Sequence, residues 1–387
     1  MKIMGYRREN GRFGVRNHLL ILPTSVCAAD TAAKIAGQIP GAVYVPNQHG
    51  CSQIGRDQEQ TARTLCGFGM NANVGAVLVV GLGCEGIQAE EMAERIRATG
   101  KAVDTVVIQK CGGTLKAEAA GVEKAAAMAA KLSAQTRTEG DVSELVLGME
   151  CGGSDPTSGL ASNPSIGYVC DKLISLGGSS ILSETTEVIG AEHLLAARFP
   201  DRAEREKFLG LVRACEERAI AQGVDLRQGQ PTPGNKAGGI TTIEEKSLGC
   251  MYKAGSSPFT GVLQYAEPLP GDKRGLYFMD SPGQDIDSIT GMVASGATVI
   301  VFSTGRGTPT GSPIAPVIKI TGNTDTYRSM IDNIDLNAGP IITDGATIPE
   351  IGEKLFGLML ETCGGRLTKA ETLGHREFGI YKIGGTF

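Results

Sequence analysis

The first 137 residues alternate regularly between short apolar runs and stretches of helical length. HLLILP (18–23), AVYVP (42–46), GAVLVVGLG (75–83) and DTVVIQ (104–109) are rich in Val, Ile and Leu and read as buried strands. Between and after them, ADTAAKIAGQIP, the DQEQTARTLCGFGM region, QAEEMAERIRATG and TLKAEAAGVEKAAAMAAKLSAQ read as helices. Strands separated by helices of this length imply parallel pairing with right-handed crossovers. The expectation is therefore an α/β protein that opens with a doubly wound, mainly parallel domain over residues 1–137. TEGDV (138–142) reads as a polar break, and a second α/β domain is expected over 138–387. Its predicted strands are ELVLGM, SSILSE, LYFMD, ATVIVFST and PVIKIT. Its predicted helices are NPSIGYVCDKLISLGG, GAEHLLAARF, a long one from Asp201, and PEIGEKLFGLMLETCGG. The segments 231–249 and 305–313 are rich in Gly and Pro and read as functional loops.

Composition narrows the function classes. Aromatics are 5% with no Trp, while Gly numbers 54, so the cores must rest on Val, Ile, Leu and Ala. The net charge of −5, with no Lys/Arg run, argues against a nucleic-acid or membrane-surface role, because phosphate binding needs a basic field. No apolar stretch approaches the roughly 18 residues that span a bilayer, and MKIMGYRRENGRFGVRN lacks an apolar signal. A cytoplasmic location is expected, and the 10 cysteines are then thiols, metal ligands or buried small hydrophobes.

Five of those cysteines stand near the predicted C-terminal ends of strands: Cys27, Cys51, Cys84, Cys111 and Cys151. In open parallel sheets, ligands bind in the crevice outside those ends. Cys51, Cys84 and Cys151 also have glycines and polar neighbours beside them: His49, Glu85, Glu150 and Asp155. Thiolates with His and carboxylate point to a transition metal, and the absence of C-x-x-C argues against a zinc ribbon. Two arrangements stay open: a single Fe(II) or Mn(II) with mixed ligands, or an iron–sulfur cluster held by three thiolates. Cys66, Cys170, Cys215 and Cys250 fall in helical or packed contexts.

Other motifs point to an anionic substrate. GRFGVRN sets Arg12 and Arg16 beside glycines, and Arg forks bind carboxylates. In ASNPSIG, Asn163 reads as a helix cap with Pro164 at the first helical position. SETTE brings Glu184 and Glu187 to a strand end, and EEKSLG sets Glu245 and Lys246 at a helix start, where a desolvated Lys can act as a base. STGRGTPTG, with Arg306, resembles an anion nest. GLGCEG lacks the spacing of a dinucleotide fingerprint.

Taken together, GYRRENGRFGVRN, HGCSQIGRD, VVGLGCEG, MECGGSDPTSGLASNPSIG, SETTEVIGAE, GNKAGGITTIEEKSLG and FSTGRGTPTG resemble the signature blocks of the altronate/galactarate dehydratase family, in family order over nearly the whole chain. The resemblance implies a hydro-lyase that removes water from a sugar acid to give a 2-keto-3-deoxy acid, using Fe(II) or Mn(II). It also implies the large-subunit form, completed by a small partner subunit and assembling as a homo-oligomer. The sulfolactate sulfo-lyase large subunit is a close relative. That branch is expected to lack the thiols of the HGC and GLGCE blocks, so Cys51 and Cys84 favour a dehydratase. On this reading Cys51, Cys84 and Cys151 hold the metal, with His49, Glu85 and Glu150 as neighbours or alternative ligands. Arg16, Arg12, Asn163, Ser154 and Arg306 bind a small anionic hydroxy acid. Lys246 is the base, with Glu184 as runner-up and Glu245 beside it.

Overall fold

The computed structural model describes residues 1–387 apart from Gln230 and Thr386. In chain order its strands are β1 (Lys2–Arg7), β2 (Phe13–Gly14), β3 (His18–Pro23), β4 (Ala42–Tyr44), β5 (Val74–Gly81), β6 (Ala102–Val107) and β7 (Thr138–Asp141). They continue with β8 (Val146–Gly152), β9 (Ser179–Leu182), β10 (Phe259–Leu263), β11 (Gly275–Met279), β12 (Val299–Thr304), β13 (Val317–Thr321) and β14 (Leu336–Asn337).

The alternating N-terminal segments form a parallel sheet of order β4-β3-β5-β6. Both faces are covered, which is why its strands read as continuous apolar runs. Leu19, Ile21, Leu78 and Val80 belong to one core with the helices Val26–Gly37 and Thr114–Ser133. Leu20, Leu22, Val77 and Val79 belong to a second core that is shared with the other half of the chain. The chain reverses its winding between β3 and β5, so the switch-point crevice opens at Pro23 and Gly81.

The second sheet, also parallel, has the order β10-β11-β9-β8-β12-β13-β14. Its first strand is central. The chain winds from β8 through β9 to one edge and returns on the other side of β8 at β12. The switch point therefore lies between β8 and β12, where Glu150, Cys151 and Gly152 are in register with Phe302, Ser303 and Thr304.

Several segments differ from the sequence reading, among them the short strands β1, β2 and β14, which it did not expect. The polar stretch 138–142 is not a break: β7 pairs antiparallel with β1, and β2 completes a small third sheet. Strand β10 went unpredicted, since FTGVL carries Thr and Gly among its apolar residues and sits at the sheet edge.

The two parallel sheets are joined by packing as well as by sequence. Helix Asp285–Ser295 lies on helix Gly55–Met70. Gly67 allows this approach, since a Cβ there would meet the Ala294 carbonyl oxygen at 2.4 Å. The C-terminal tail crosses back to the first domain, with Phe378 edge-on to Phe68 at 5.0 Å between ring centroids. Among the described residues, no helix is long and apolar enough to cross a membrane.

Candidate active site

Strand β8 runs three residues further than its apolar run predicts, because Glu150, Cys151 and Gly152 stay paired with β12. Consecutive strand residues project to opposite faces, so Glu150 and Cys151 found two neighbouring groups of side chains. Beyond β9 the chain turns at Glu184, whose φ of 73° is left-handed, a conformation that costs a non-glycine residue of order 1–3 kcal/mol. The turn is held from outside: the Glu184 N–H donates to Ser281 Oγ (2.8 Å) and the Thr185 N–H to the Ser281 carbonyl (3.0 Å). It directs both Glu184 and Glu187 inward, where each is nearly inaccessible. Helix Ile243–Met251 starts at Thr242, whose side chain accepts the Glu245 N–H. Lys246 and Cys250, four residues apart, share one face of it. A single 3₁₀ turn, Tyr252–Ala254, then buries Lys253.

Lys253 is the hub of the Cys151 side. Its Nζ lies 3.0 Å from Cys151 Sγ, from Glu184 Oε2 and from Glu187 Oε2. Lys246 Nζ is 3.4 Å from Glu187 Oε1. Burial alone would pull both lysines down. The charges around them outweigh it, chiefly Cys151 and Glu187 at Lys253 and Glu187 at Lys246, and hold both ammonium groups above the usual lysine range. Burial would likewise push Glu187 up, but Lys253 and Lys246 keep it ionised, below the usual carboxylate range. Cys151 donates to Glu187 at 3.1 Å and lies 3.5 Å from Cys250 Sγ. That thiol neighbour, together with burial, pushes the Cys151 thiol up.

The Glu150 side is a group of carboxyls. Burial pushes Glu150 up to about 8, although Ser288 Oγ donates to it at 2.5 Å. Burial, then the charge of Glu187, raises Asp285 to about 6. Burial, then Glu150 and Glu187, raises Glu184. Gly152 is the only residue that fits here, since a Cβ would meet Asp285 Oδ2 at 2.2 Å. A cavity of about 250 Å³ opens onto the site, lined in part by Ser154, Asn163, Lys246, Cys250 and Tyr252.

Among the described residues, two groups bring ligand atoms within 4.8 Å of one another: Glu150, Glu184 and Asp285, and Cys151, Glu187 and Cys250. The first fits the Fe(II) or Mn(II) that the resemblance implies. It offers oxygen donors, and a divalent cation would compensate the buried negative charge that burial disfavours at all three carboxyls. The second holds two contacts of the Lys253 ammonium, to Cys151 and Glu187, against one, to Glu184, in the first.

Several sequence expectations need correction. Arg16 cannot hold a substrate. Its five N–H groups are spent on Glu371 Oε1 and Oε2 and on the carbonyls of Val15, Thr362 and Arg366, at 2.7–3.0 Å. Arg12 lies at the wrong end of the second sheet, in a cavity with Val146 and Thr298. The seven residues of β8 separate it from the site by about 20 Å. Cys51 and Cys84 are exposed and belong to neither converging group, so the three strand-end thiols Cys51, Cys84 and Cys151 do not converge in this chain. They flank the first sheet's switch point instead. There Glu85 is occupied by the Thr24 hydroxyl (2.7 Å) and the Leu82 N–H (2.9 Å), and so is fixed as a loop brace. His49 stays in that loop, its carbonyl accepting the Val26 N–H, and is no ligand of either group. Glu245 caps its own helix, accepting the Thr241 N–H and hydroxyl at 2.8 Å. Asn163 caps nothing: a π-helical turn, Ser158–Ser162, precedes it, and its Nδ2 donates to the Gly249 carbonyl. The loop 305–313 turns the carbonyls of Pro309 and Thr310 toward the Lys319 ammonium, the opposite of an anion nest. Arg306 remains at the rim, exposed, with one bond to the Gly234 carbonyl (3.0 Å).

Of the expected residues, Glu150, Cys151, Ser154, Glu184 and Lys246 are brought together. Lys253, Cys250, Asp285 and Ser288 were missed. Lys253 follows Tyr252 in an unremarkable helix end, and the only local sign of Asp285 is the strand-end context MDSPGQD after LYF.

Two family models cover the chain: D-galactarate dehydratase/altronate hydrolase, second domain, over residues 5–133, and D-galactarate/altronate dehydratase, C-terminal, over residues 142–386. The chain is 39% identical over 386 residues to the (2R)-sulfolactate sulfo-lyase subunit beta of Chromohalobacter salexigens, covering 98% of this chain and 97% of that one. It is 37% identical over 393 residues to the altronate dehydratase of Bacillus subtilis, covering 99% of this chain and 78% of that one. Against the altronate dehydratase of Escherichia coli the identity is again 37%, over 98% of this chain and 78% of the relative. All three relatives are lyases, and the chain belongs to the altronate/galactarate dehydratase family of lyases.

Proposed function

We propose that this chain dehydrates a small sugar acid of the altronate or galactarate kind to a 2-keto-3-deoxy acid, at the rim of its second sheet. The observation that carries the reading is the pair of inward-facing ammonium groups, Lys246 and Lys253, set against ionised Glu187 beside three carboxyls suited to a cation. Elimination requires loss of the proton alpha to a carboxylate and departure of the hydroxyl on the next carbon. The substrate carboxylate enters the field of the Lys253 ammonium, and the low dielectric strengthens that field. Ser154, which lines the cavity, and Arg306, just beyond the end of β12, meet the polyol chain. Lys246 takes the alpha proton at Nζ, a step that requires its free-amine form; Glu184, committed to the cation, is the weaker candidate. A divalent cation bound at Glu150, Glu184 and Asp285 would supply Lewis acidity for the leaving hydroxyl and offset the Glu184 charge, one of those that hold Lys246 protonated. Lys253 holds Glu184 and Glu187 in place.

A second reading, elimination of sulfite from sulfolactate, is favoured by the 39% identity to a sulfo-lyase subunit over 97% of its length. That relative's name, a subunit beta, also supports a partner subunit here, which we take to be the small one. The test is anaerobic turnover with Fe(II) or Mn(II), with and without the small subunit, on altronate, galactarate and (2R)-sulfolactate. Formation of a 2-keto acid without sulfite is expected, falling by about 10²–10⁴-fold in Lys246→Ala with bound metal retained. Sulfite release from sulfolactate alone would favour the second reading, and unchanged turnover in Lys246→Ala would remove the base assignment.

A further inference from the structure

Cys151 and Cys250 are distant in sequence yet lie 3.5 Å apart at Sγ, the one thiol pair in hydrogen-bond contact among the described residues. Each is almost wholly buried. They differ in access: Cys250 lines the cavity that opens to solvent, whereas Cys151 is fully enclosed behind it. Beside Cys151 stands an acceptor for its proton, Glu187 Oε2, at 3.1 Å. A disulfide requires the sulfurs to close to about 2.05 Å, so the pair must approach by about 1.5 Å. Helix Ile243–Met251 meets the π-helical turn closely at Gly249 against Gly159.

We infer that Cys151 and Cys250 are a peroxide-reactive dithiol, a modification site that locks the active site when oxidised. Peroxide enters by the cavity and oxidises the Cys250 thiol to a sulfenic acid, releasing one water. The Cys151 sulfur attacks the sulfenic sulfur and forms the S–S bond. The Cys151 proton passes to the departing hydroxide, which leaves as a second water. Two thiols are oxidised by two electrons, and one peroxide is reduced to two waters. The disulfide ties the end of β8 to the helix that carries Lys246 one turn earlier, and it removes a thiol from the Lys253 environment. A dithiol reductant reverses it. The other buried thiols, Cys66, Cys170, Cys215 and Cys363, have no thiol neighbour in contact, and the exposed Cys27, Cys51 and Cys84 would be oxidised singly.

The test uses the full-length reduced protein, a small excess of hydrogen peroxide, alkylation of remaining thiols and peptide mapping by mass spectrometry. The expected result is a Cys151–Cys250 linked peptide two mass units lighter than the reduced pair, restored by dithiothreitol. Cys250→Ser should give no linked peptide. Lyase activity, measured in parallel, should fall and recover with the link. Oxidation confined to Cys27, Cys51 and Cys84, with Cys151 and Cys250 recovered fully alkylated, would overturn the inference. The mapping reads wild-type protein and needs no substrate, so its outcome stands apart from the assignment of the reaction.

Discussion

Lys253 touches Cys151, Glu184 and Glu187 at 3.0 Å each, with no access to solvent. Removing one partner of a buried charge network leaves the others uncompensated, which costs about 3–5 kcal/mol. Lys253→Met should therefore lower unfolding free energy by that order, read by chemical denaturation, and abolish turnover. A stability change below about 1 kcal/mol would mean that the network is not formed as described. Arg16 offers the contrasting case. It is equally buried and fully bonded, but to Glu371 and three backbone carbonyls far from the rim. Arg16→Met is expected to destabilise the fold by about 3–5 kcal/mol while the surviving folded enzyme keeps its KM. A large rise in KM at unchanged stability would restore Arg16 to the substrate. Both residues are charged and sit among glycines or at a helix end, and nothing local in the sequence distinguishes a structural arginine from a binding one.

At the scale of elements, the β8–β12 rim concentrates carboxyls, and this gives a pH signature. Glu150 and Asp285 titrate at about 8 and about 6 in the fold, above their ordinary values of 4.5 and 3.8. A carboxyl whose folded pKa is raised contributes stability that is complete below its unfolded pKa and lost as pH rises through the folded one. The metal-free protein should therefore lose Tm steadily from about pH 5 to about pH 8, and Mn(II) should flatten the slope by binding the ionised forms. Glu187 has the opposite sign, and its contribution fails only in acid, outside this window. A metal-free Tm that rises across the range would contradict the assignment.

The elements themselves were largely legible. Apolar runs bounded by glycine gave most strands of both parallel sheets, because strands covered on both faces must be apolar throughout. Where β8 ends was not legible: polar Glu150 and Cys151 look like loop yet pair in a central strand. For the same reason the thiol-based metal site went astray. Proximity to a strand end sets a residue on a rim, but Cys51 and Cys84 belong to the first sheet's rim and Cys151 to the second's. Only the packing of the two sheets decides which side chains meet.

For the whole molecule, the proposed function puts the chemistry in the second sheet, at its switch point, with the first sheet buttressing it. Helix Asp285–Ser295 carries this arrangement, since its first residue belongs to the carboxyl group and its body packs on the first domain. Family membership makes the chain a lyase, and the proposed function gives the cation to oxygen ligands rather than to the strand-end thiols. The most direct measurement is Mn(II) binding to metal-free protein, followed by electron paramagnetic resonance, for the wild type, Glu150→Gln/Asp285→Asn and Cys51→Ala/Cys84→Ala. One tightly bound Mn(II) per chain, lost in the carboxyl variant and kept in the thiol variant, is the predicted result. Loss in the thiol variant with full binding in the carboxyl variant would contradict the account and return the metal to the rim of the first sheet.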